Sequence, residues 1–128
     1  MAEMSNFLEN ALINATLRNT TYTSVATVYV SLWTSDPTDA GSGTEVSGGS
    51  YARTAVTFAA PSNGVTTNSA DVTFPTATAS WGVVGWIGIN DAATSGNLLY
   101  HSPLDTSKTI DSGDIFKIST GNLSVTLS

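Results

Sequence analysis

Few side chains in this sequence could carry out acid–base or nucleophilic chemistry, because it contains a single histidine and no cysteine. His101 could act as a general base, but nothing in its sequence context links it to a nucleophile or a carboxylate. Serine and aspartate are present, yet no Gly-x-Ser-x-Gly motif frames a catalytic serine. The sequence therefore predicts no enzyme. We interpret His101 as a strand-end residue whose polar tip lies near solvent.

Carboxylates are the other candidates for chemistry. Asp111 and Asp114 enclose Ser-Gly and could hold calcium together with Asp105, but a calcium-binding loop needs many more oxygen ligands in order. We interpret the segment as a turn, since Asp accepts local backbone N–H groups and glycine tolerates an unusual φ. With one histidine and no cysteine, a His-ligated zinc site is not expected. No metal and no cofactor are predicted.

Glycine and tryptophan form the third unusual pattern. Gly82, Gly85 and Gly88 recur every third residue, but this is not the Gly-x-Gly-x-x-Gly spacing, and no helix follows to receive a phosphate. Glycines inside a strand indicate a bulge or the close approach of another backbone or ring. Trp81 and Trp86 flank this stretch. They could stack on sugars, cap the core or anchor a subunit contact, and we favour core or subunit contact.

The elements that would position these residues begin with a helix. It is predicted from about Asn6 to Arg18, with Asn6 as its N-cap and Glu9 able to bond back to it. Both flanks of its apolar stripe carry further apolar residues, so one face could meet this domain and another a partner. The residues at helical spacing are Phe7, Leu8, Ala11, Leu12, Ala15 and Leu17.

After Thr20 the hydrophobic period becomes two, which is typical of strands. Thr27–Thr34 predicts a central strand covered on both faces. Ile115–Ser119 and Leu123–Leu127 predict a hairpin or a pair that switches sheets. Short strands without helical interludes predict a mainly β fold, an antiparallel β-sandwich of jelly-roll or Ig-like type with one N-terminal α-helix. The predicted division is a helical arm, residues 1–20, and a β-sandwich domain, residues 21–128.

Charge is sparse and negative, with 10 acidic residues against 4 basic ones and only 11 % of residues charged. Nucleic acid is therefore not an expected partner, because phosphate binding requires a cluster of Lys and Arg. A membrane is not expected either, since no run approaches the roughly 20 apolar residues of a membrane span. A surface rich in Ser, Thr and Asn repels neighbours weakly, which suits a protein that sits beside other subunits.

Four segments resemble a family of small tailed-bacteriophage virion proteins. These segments are Met4–Asn19, Val28–Asp39, Gly48–Arg53 and Gly96–His101, and the likeness continues through the C-terminal turns to cover nearly the whole chain. Members of this family are often labelled tail-fibre proteins, and some look like head decoration (cement) proteins. One departure is Gly85–Asn90, where a more polar or aromatic stretch with fewer glycines is expected.

The resemblance implies a structural virion protein at the outer surface of the phage head. It would bind the lattice of the phage major capsid protein and stabilise the head, as a homo-oligomer such as a trimer. The alternative is a tail or tail-fibre component that binds glycans through Trp81 or Trp86. The candidate protein-binding residues, from the helical arm and the aromatic set, are Phe7, Leu8, Leu12, Tyr22, Trp33, Tyr51, Trp81 and Trp86.

Overall fold

The computed structural model describes residues 2–127, which form one helix and nine strands. The predicted mainly β, antiparallel sandwich with one N-terminal helix is confirmed. In chain order the elements are β1 (Glu3–Met4), α1 (Asn6–Leu17), β2 (Val28–Trp33), β3 (Thr54–Val56), β4 (Val65–Thr67), β5 (Val72–Thr73), β6 (Gly82–Asn90), β7 (Leu98–Ile110), β8 (Lys117–Ile118) and β9 (Ser124–Thr126).

The main sheet has five antiparallel strands in the order β1-β7-β6-β2-β3. Two small sheets, β4-β9 and β5-β8, supply the second layer. One face of the main sheet contributes Val30, Leu32, Ile87 and Ile89 to a single buried cluster. The small sheets and the segments beside them contribute the other side of that cluster, with Val72, Phe74, Phe116, Leu123 and Val125.

Strand β2 lies within the main sheet between β3 and β6, as the alternating pattern predicts. Its even-numbered residues face the core, and its odd-numbered residues Ser31 and Trp33 are also buried, on the outer face. The last two predicted strands do not pair with each other: β8 pairs with β5 and β9 with β4. The sheet-switching alternative is therefore the correct one.

The N-cap of helix α1 is Ser5, and Asn6 is the first helical residue. The predicted N-cap at Asn6 is wrong, because Ser5 is extended (φ −71°, ψ 161°) and its side chain accepts a hydrogen bond from Leu8 N. The Ser5 hydroxyl also donates to the carbonyl of Leu98 in β7. The helix ends at Leu17, one residue earlier than predicted, where the Arg18 N–H bonds to Asn14 O.

The first residues of the chain join the main sheet as its edge strand, which the sequence pattern did not predict. In β1, Glu3 stands opposite His101 and Met4 opposite Tyr100. The Ser5 N–H then bonds to the carbonyl of Leu99 at 2.9 Å. Residues 3–5 are thus part of the sheet, and α1 packs against β7 directly after them.

Two glycines in β6 have different surroundings, and both match the predicted reasons for glycine in a strand. Gly85 lies at a register shift between β6 and β7, and a Cβ there would meet nothing within 4 Å. A Cβ on Gly88 would lie 2.7 Å from the Ser31 hydroxyl, 2.7 Å from Leu98 Cδ1 and 2.9 Å from Trp33 Nε1. Gly88 therefore allows three buried side chains to meet on the outer face.

We expect Gly88→Ala to lower the free energy of unfolding by about 1–3 kcal/mol, because the methyl group overpacks this site. The matched control, Gly85→Ala in the same strand, should leave stability unchanged or raise it by less than about 1 kcal/mol. Urea unfolding of the two variants beside the parent chain measures both effects. Equal midpoints for the two variants would contradict the close packing at Gly88.

Candidate functional site

His101 does not have the solvent-facing tip that the sequence predicted. Its side chain is only 4 % exposed, and its Nε2 lies 2.7 Å from Asp39 Oδ1 and 4.0 Å from Glu3 Oε2. That interpretation fails because both carboxylates are distant in sequence: Asp39 comes from the loop after β2 and Glu3 from the edge strand β1. Within residues 2–127, no hydroxyl hydrogen-bonds to His101, so the arrangement is not a nucleophile–base pair.

Glu3, Asp39 and His101 are the one group of histidine and carboxylate side chains, among residues 2–127, close enough to share a metal ion. The His101 Nε2–H donates to Asp39 Oδ1, and this hydrogen bond joins β7 to the loop after β2.

The segment from Asp111 to Asp114 forms a turn, as predicted, in which the Asp111 N–H donates to Asp114 Oδ2 at 2.9 Å.

The tryptophans occupy different environments. Trp81 is 4 % exposed, and its Nε1–H donates to Gly49 O at 2.9 Å, so it is a core residue with no face free to stack on a sugar. Trp33 is 6 % exposed and belongs to the buried outer face of the main sheet. Trp86 stands opposite Trp33 on the neighbouring strand and is half-buried. Of the three, Trp86 alone keeps partial access to solvent.

Tyr51 is a structural anchor. Its hydroxyl donates to Glu45 Oε2 at 2.6 Å and accepts from Leu32 N at 3.0 Å. Its ring packs edge-on against Trp81, with centroids 5.4 Å apart. Because Glu45 also forms a two-point ion pair with Arg53, the phenol helps to tie the loop after β2 to the main sheet.

Arg53 also connects Glu45 to the loop 91–97. Its Nη1 donates to the carbonyl of Ala92 at 3.0 Å and to that of Ser95 at 2.8 Å. One guanidinium thus holds the loop 91–97 against the carboxylate of Glu45, a geometry that the single ammonium of lysine could not reproduce.

Burial, reinforced by the hydrogen bond to Glu45, raises the pKa of Tyr51 far above its ordinary value. The tyrosine of the unfolded chain ionises near pH 10. Because the pKa is higher in the folded chain, the contribution of the neutral phenol to the free energy of unfolding is fully present below about pH 10 and is lost as the pH rises further. Tyr51→Phe should therefore lower stability by about 1–3 kcal/mol at neutral pH, since Leu32 N loses its partner.

The same variant should lose stability less steeply than the parent chain above about pH 10. Some decline should remain, because burial also raises the pKa of Tyr100. Denaturant unfolding at a series of alkaline pH values measures the two slopes. Parallel slopes for the parent chain and the variant would contradict this role for the Tyr51 phenol.

The predicted protein-binding residues of the helix lie on different faces of it and differ in exposure. Leu8 is 4 % exposed and packs toward the sheet, while Leu12 is half-buried on the same side. Phe7 is exposed, and Tyr22, in the irregular segment after α1, is half-buried. The apolar residues that point away from the sheet are Ile13 and Leu17, which are 53 % and 79 % exposed.

Ile13 and Leu17 were not in the predicted set, although their spacing could have identified them. They are four residues apart, so they lie together on the helix face opposite Leu8 and Leu12. Among residues 2–127, four of the eight large hydrophobic residues that are exposed lie from Phe7 to Val25, so exposed apolar side chains concentrate near the N-terminal end of that range. We call the pair Ile13 and Leu17 the outer face of α1.

The chain matches a known protein family over nearly its whole length. Residues 3–126 match the model of the family described as podophage GP4 fiber I protein gp80. The match therefore includes α1, the main sheet and both small sheets. No curated protein matches the chain. Among residues 2–127, no helix has the length and apolar character needed to cross a membrane.

Proposed function

Since the chain belongs to the podophage GP4 fiber I protein gp80 family, we propose that this structural phage virion protein attaches to a neighbouring subunit through the outer face of α1. The single observation that carries this proposal is the exposure of Ile13 and Leu17 on a helix whose opposite face is already packed. A leucine or isoleucine fully buried at a contact contributes about 1.5–3 kcal/mol.

Electrostatics around this face support the same role. Its neighbours on the helix include one charged side chain, Glu9, four residues before Ile13, and the neutral, exposed side chains of Asn10 and Thr16. The nearest cation is Arg18, whose Nη1 donates to Asn14 Oδ1. Such a surface forms hydrogen bonds without strong repulsion. A contact worth about 3 kcal/mol is weak for one copy, but copies attached together on a particle add through avidity.

For the location, we propose the outer surface of the head, with the major capsid protein as the partner. The described residues form a two-layer sandwich, a globular unit suited to sitting on a shell and bridging its subunits. A protein that binds the assembled lattice alone stabilises that lattice by mass action. An oligomer such as a trimer would match a symmetry axis of the shell.

A second candidate location is the fibre, after which the family is described. The described residues form a sandwich and no elongated shaft of their own. In a fibre this chain would therefore be a globular unit that joins other fibre or tail subunits. The outer face of α1 could serve as the contact in either location, so the contact and the location need separate tests.

The contact is tested by Ile13→Ser together with Leu17→Ser. Both side chains are exposed, so the fold should be retained while the amount of this protein in purified particles falls at least tenfold. Val83→Ser with Ile115→Ser is the matched control, because those residues are 52 % and 56 % exposed elsewhere on the surface. Normal incorporation of the α1 variant would contradict the proposed contact.

The location is tested by a cryo-EM map of the intact particle into which this sandwich is fitted. We expect density for the sandwich on the outer face of the capsid lattice, with α1 turned toward the capsid subunits. Density on the fibre or tail, with none on the head, would overturn the head location and leave the fibre. Symmetry-expanded reconstruction of head and tail from the same images treats both locations equally.

A further inference from the structure

Three buried side chains on the outer face of the main sheet form a hydrogen-bonded relay. Trp33 Nε1–H donates to Ser31 Oγ at 2.8 Å, and Ser31 Oγ lies 2.6 Å from Asn90 Oδ1. The indole nitrogen is a donor only, so the Ser31 hydroxyl accepts from Trp33, and it donates its own proton to Asn90 Oδ1. In this arrangement the oxygen of the Asn90 amide lies toward Ser31 and the nitrogen lies away from it.

The Asn90 nitrogen has no partner in this arrangement. Asn90 is only 3 % exposed, and its Nδ2 donates to no group of residues 2–127. No fully buried side-chain nitrogen or oxygen in that part of the chain lacks a partner, so Nδ2 must have access to solvent. Asn90 lines a cleft of about 300 Å³, which provides that access. Two N–H donors are held, nearly buried, at the wall of an open cleft.

The cleft lies between three segments: the start of α1, the loop 39–41 and the loop 95–97. Asn6, Asn97 and Asp39 supply further hydrogen-bonding groups around it. Phe7, which is 41 % exposed, supplies an aromatic ring. Small-molecule sites commonly combine a few placed polar groups with an apolar or aromatic surface.

We propose that this cleft is a binding site for a neutral saccharide, with Asn90 Nδ2 as the donor that recognises a sugar oxygen. Sugar hydroxyls both donate and accept, so they match amide and carboxylate groups set side by side. The C–H face of a sugar ring would pack on Phe7. This inference is independent of the proposed attachment, which uses Ile13 and Leu17 on the outer face of α1.

Charge selects against other small ligands. Arg53 lines the cleft, but its positive charge is paired with Glu45 at 2.9 Å, and its Nη1 is occupied by two carbonyls. Asp39 would repel an anion, and its Oδ1 is already engaged by His101. A neutral ligand is therefore the class that the cleft accepts with least cost in desolvated charge.

The test is a ¹⁵N NMR titration of the purified chain with a panel of neutral hexoses, deoxyhexoses and N-acetylhexosamines. We expect at least one sugar to give saturable shifts that include the Asn90 side-chain amide and the Trp33 indole. Asn90→Asp keeps an oxygen toward Ser31 but removes both donors, so it should weaken that binding at least tenfold. Asn63→Asp, in an exposed turn outside the cleft, makes the same charge change and should bind as the parent chain does.

Three results would overturn the proposal. The first is a panel without saturable shifts, and the second is a set of shifts centred on Trp86 instead of Asn90. The third is unchanged affinity in Asn90→Asp. If Asn90→Asp fails to fold, Phe7→Ala replaces it, because Phe7 is exposed at the cleft and its removal should also weaken binding. Unchanged affinity in Phe7→Ala would then overturn the proposal.

Discussion

The structure depends on the burial of both faces of the β2–β6 pair. One face holds the apolar cluster between the two layers, as in any sandwich. The other face carries polar atoms of Ser31, Trp33 and Asn90, which must find partners because they are withdrawn from water. The Trp33 Nε1–H, the Ser31 hydroxyl and the Asn90 Oδ1 satisfy one another, and Gly88 leaves the space in which they meet. The start of α1 and the loops 39–41 and 95–97 lie over this face, beside Trp33 and Asn90.

The cover is held by a few side chains that each join two or three segments. Ser5 caps α1 and also bonds to β7, so the helix is positioned by the same hydroxyl that begins it. Arg53 joins Glu45 to the loop 91–97. His101 joins β7 to Asp39 in the loop after β2. These hydrogen bonds hold the irregular loops to the main sheet.

Local pattern predicted the elements well and their pairing poorly. The alternation through Val28–Leu32 and the helical spacing from Phe7 to Leu17 each reflect burial on one face, which a sequence shows directly. The two residues of β1 are too few to show a period, and their partner lies near residue 100. The Asn6 cap was mispredicted because either Ser5 or Asn6 can cap a helix, and the hydrogen bond to Leu98 that favours Ser5 is long-range.

The candidate sites were harder to predict for the same reason. His101 and Asp39 are 62 residues apart, and Ser31 and Asn90 are 59 apart, so no motif could reveal either pair. Tryptophan is common both in cores and in contacts, and the sequence could not separate Trp81 from Trp86. By contrast, the outward positions of Ile13 and Leu17 follow from helical geometry once the packed side is known.

The pairing of β1 with β7 has a consequence for synthesis. Glu3 leaves the ribosome first, but its partner His101 follows about 5–20 s later at ordinary rates of elongation. Until then α1 has no β7 strand to pack on, and its apolar residues on both faces are exposed to solvent. The main sheet therefore closes at this edge only after residue 101 has emerged, and this long-range closure favours slow, late folding.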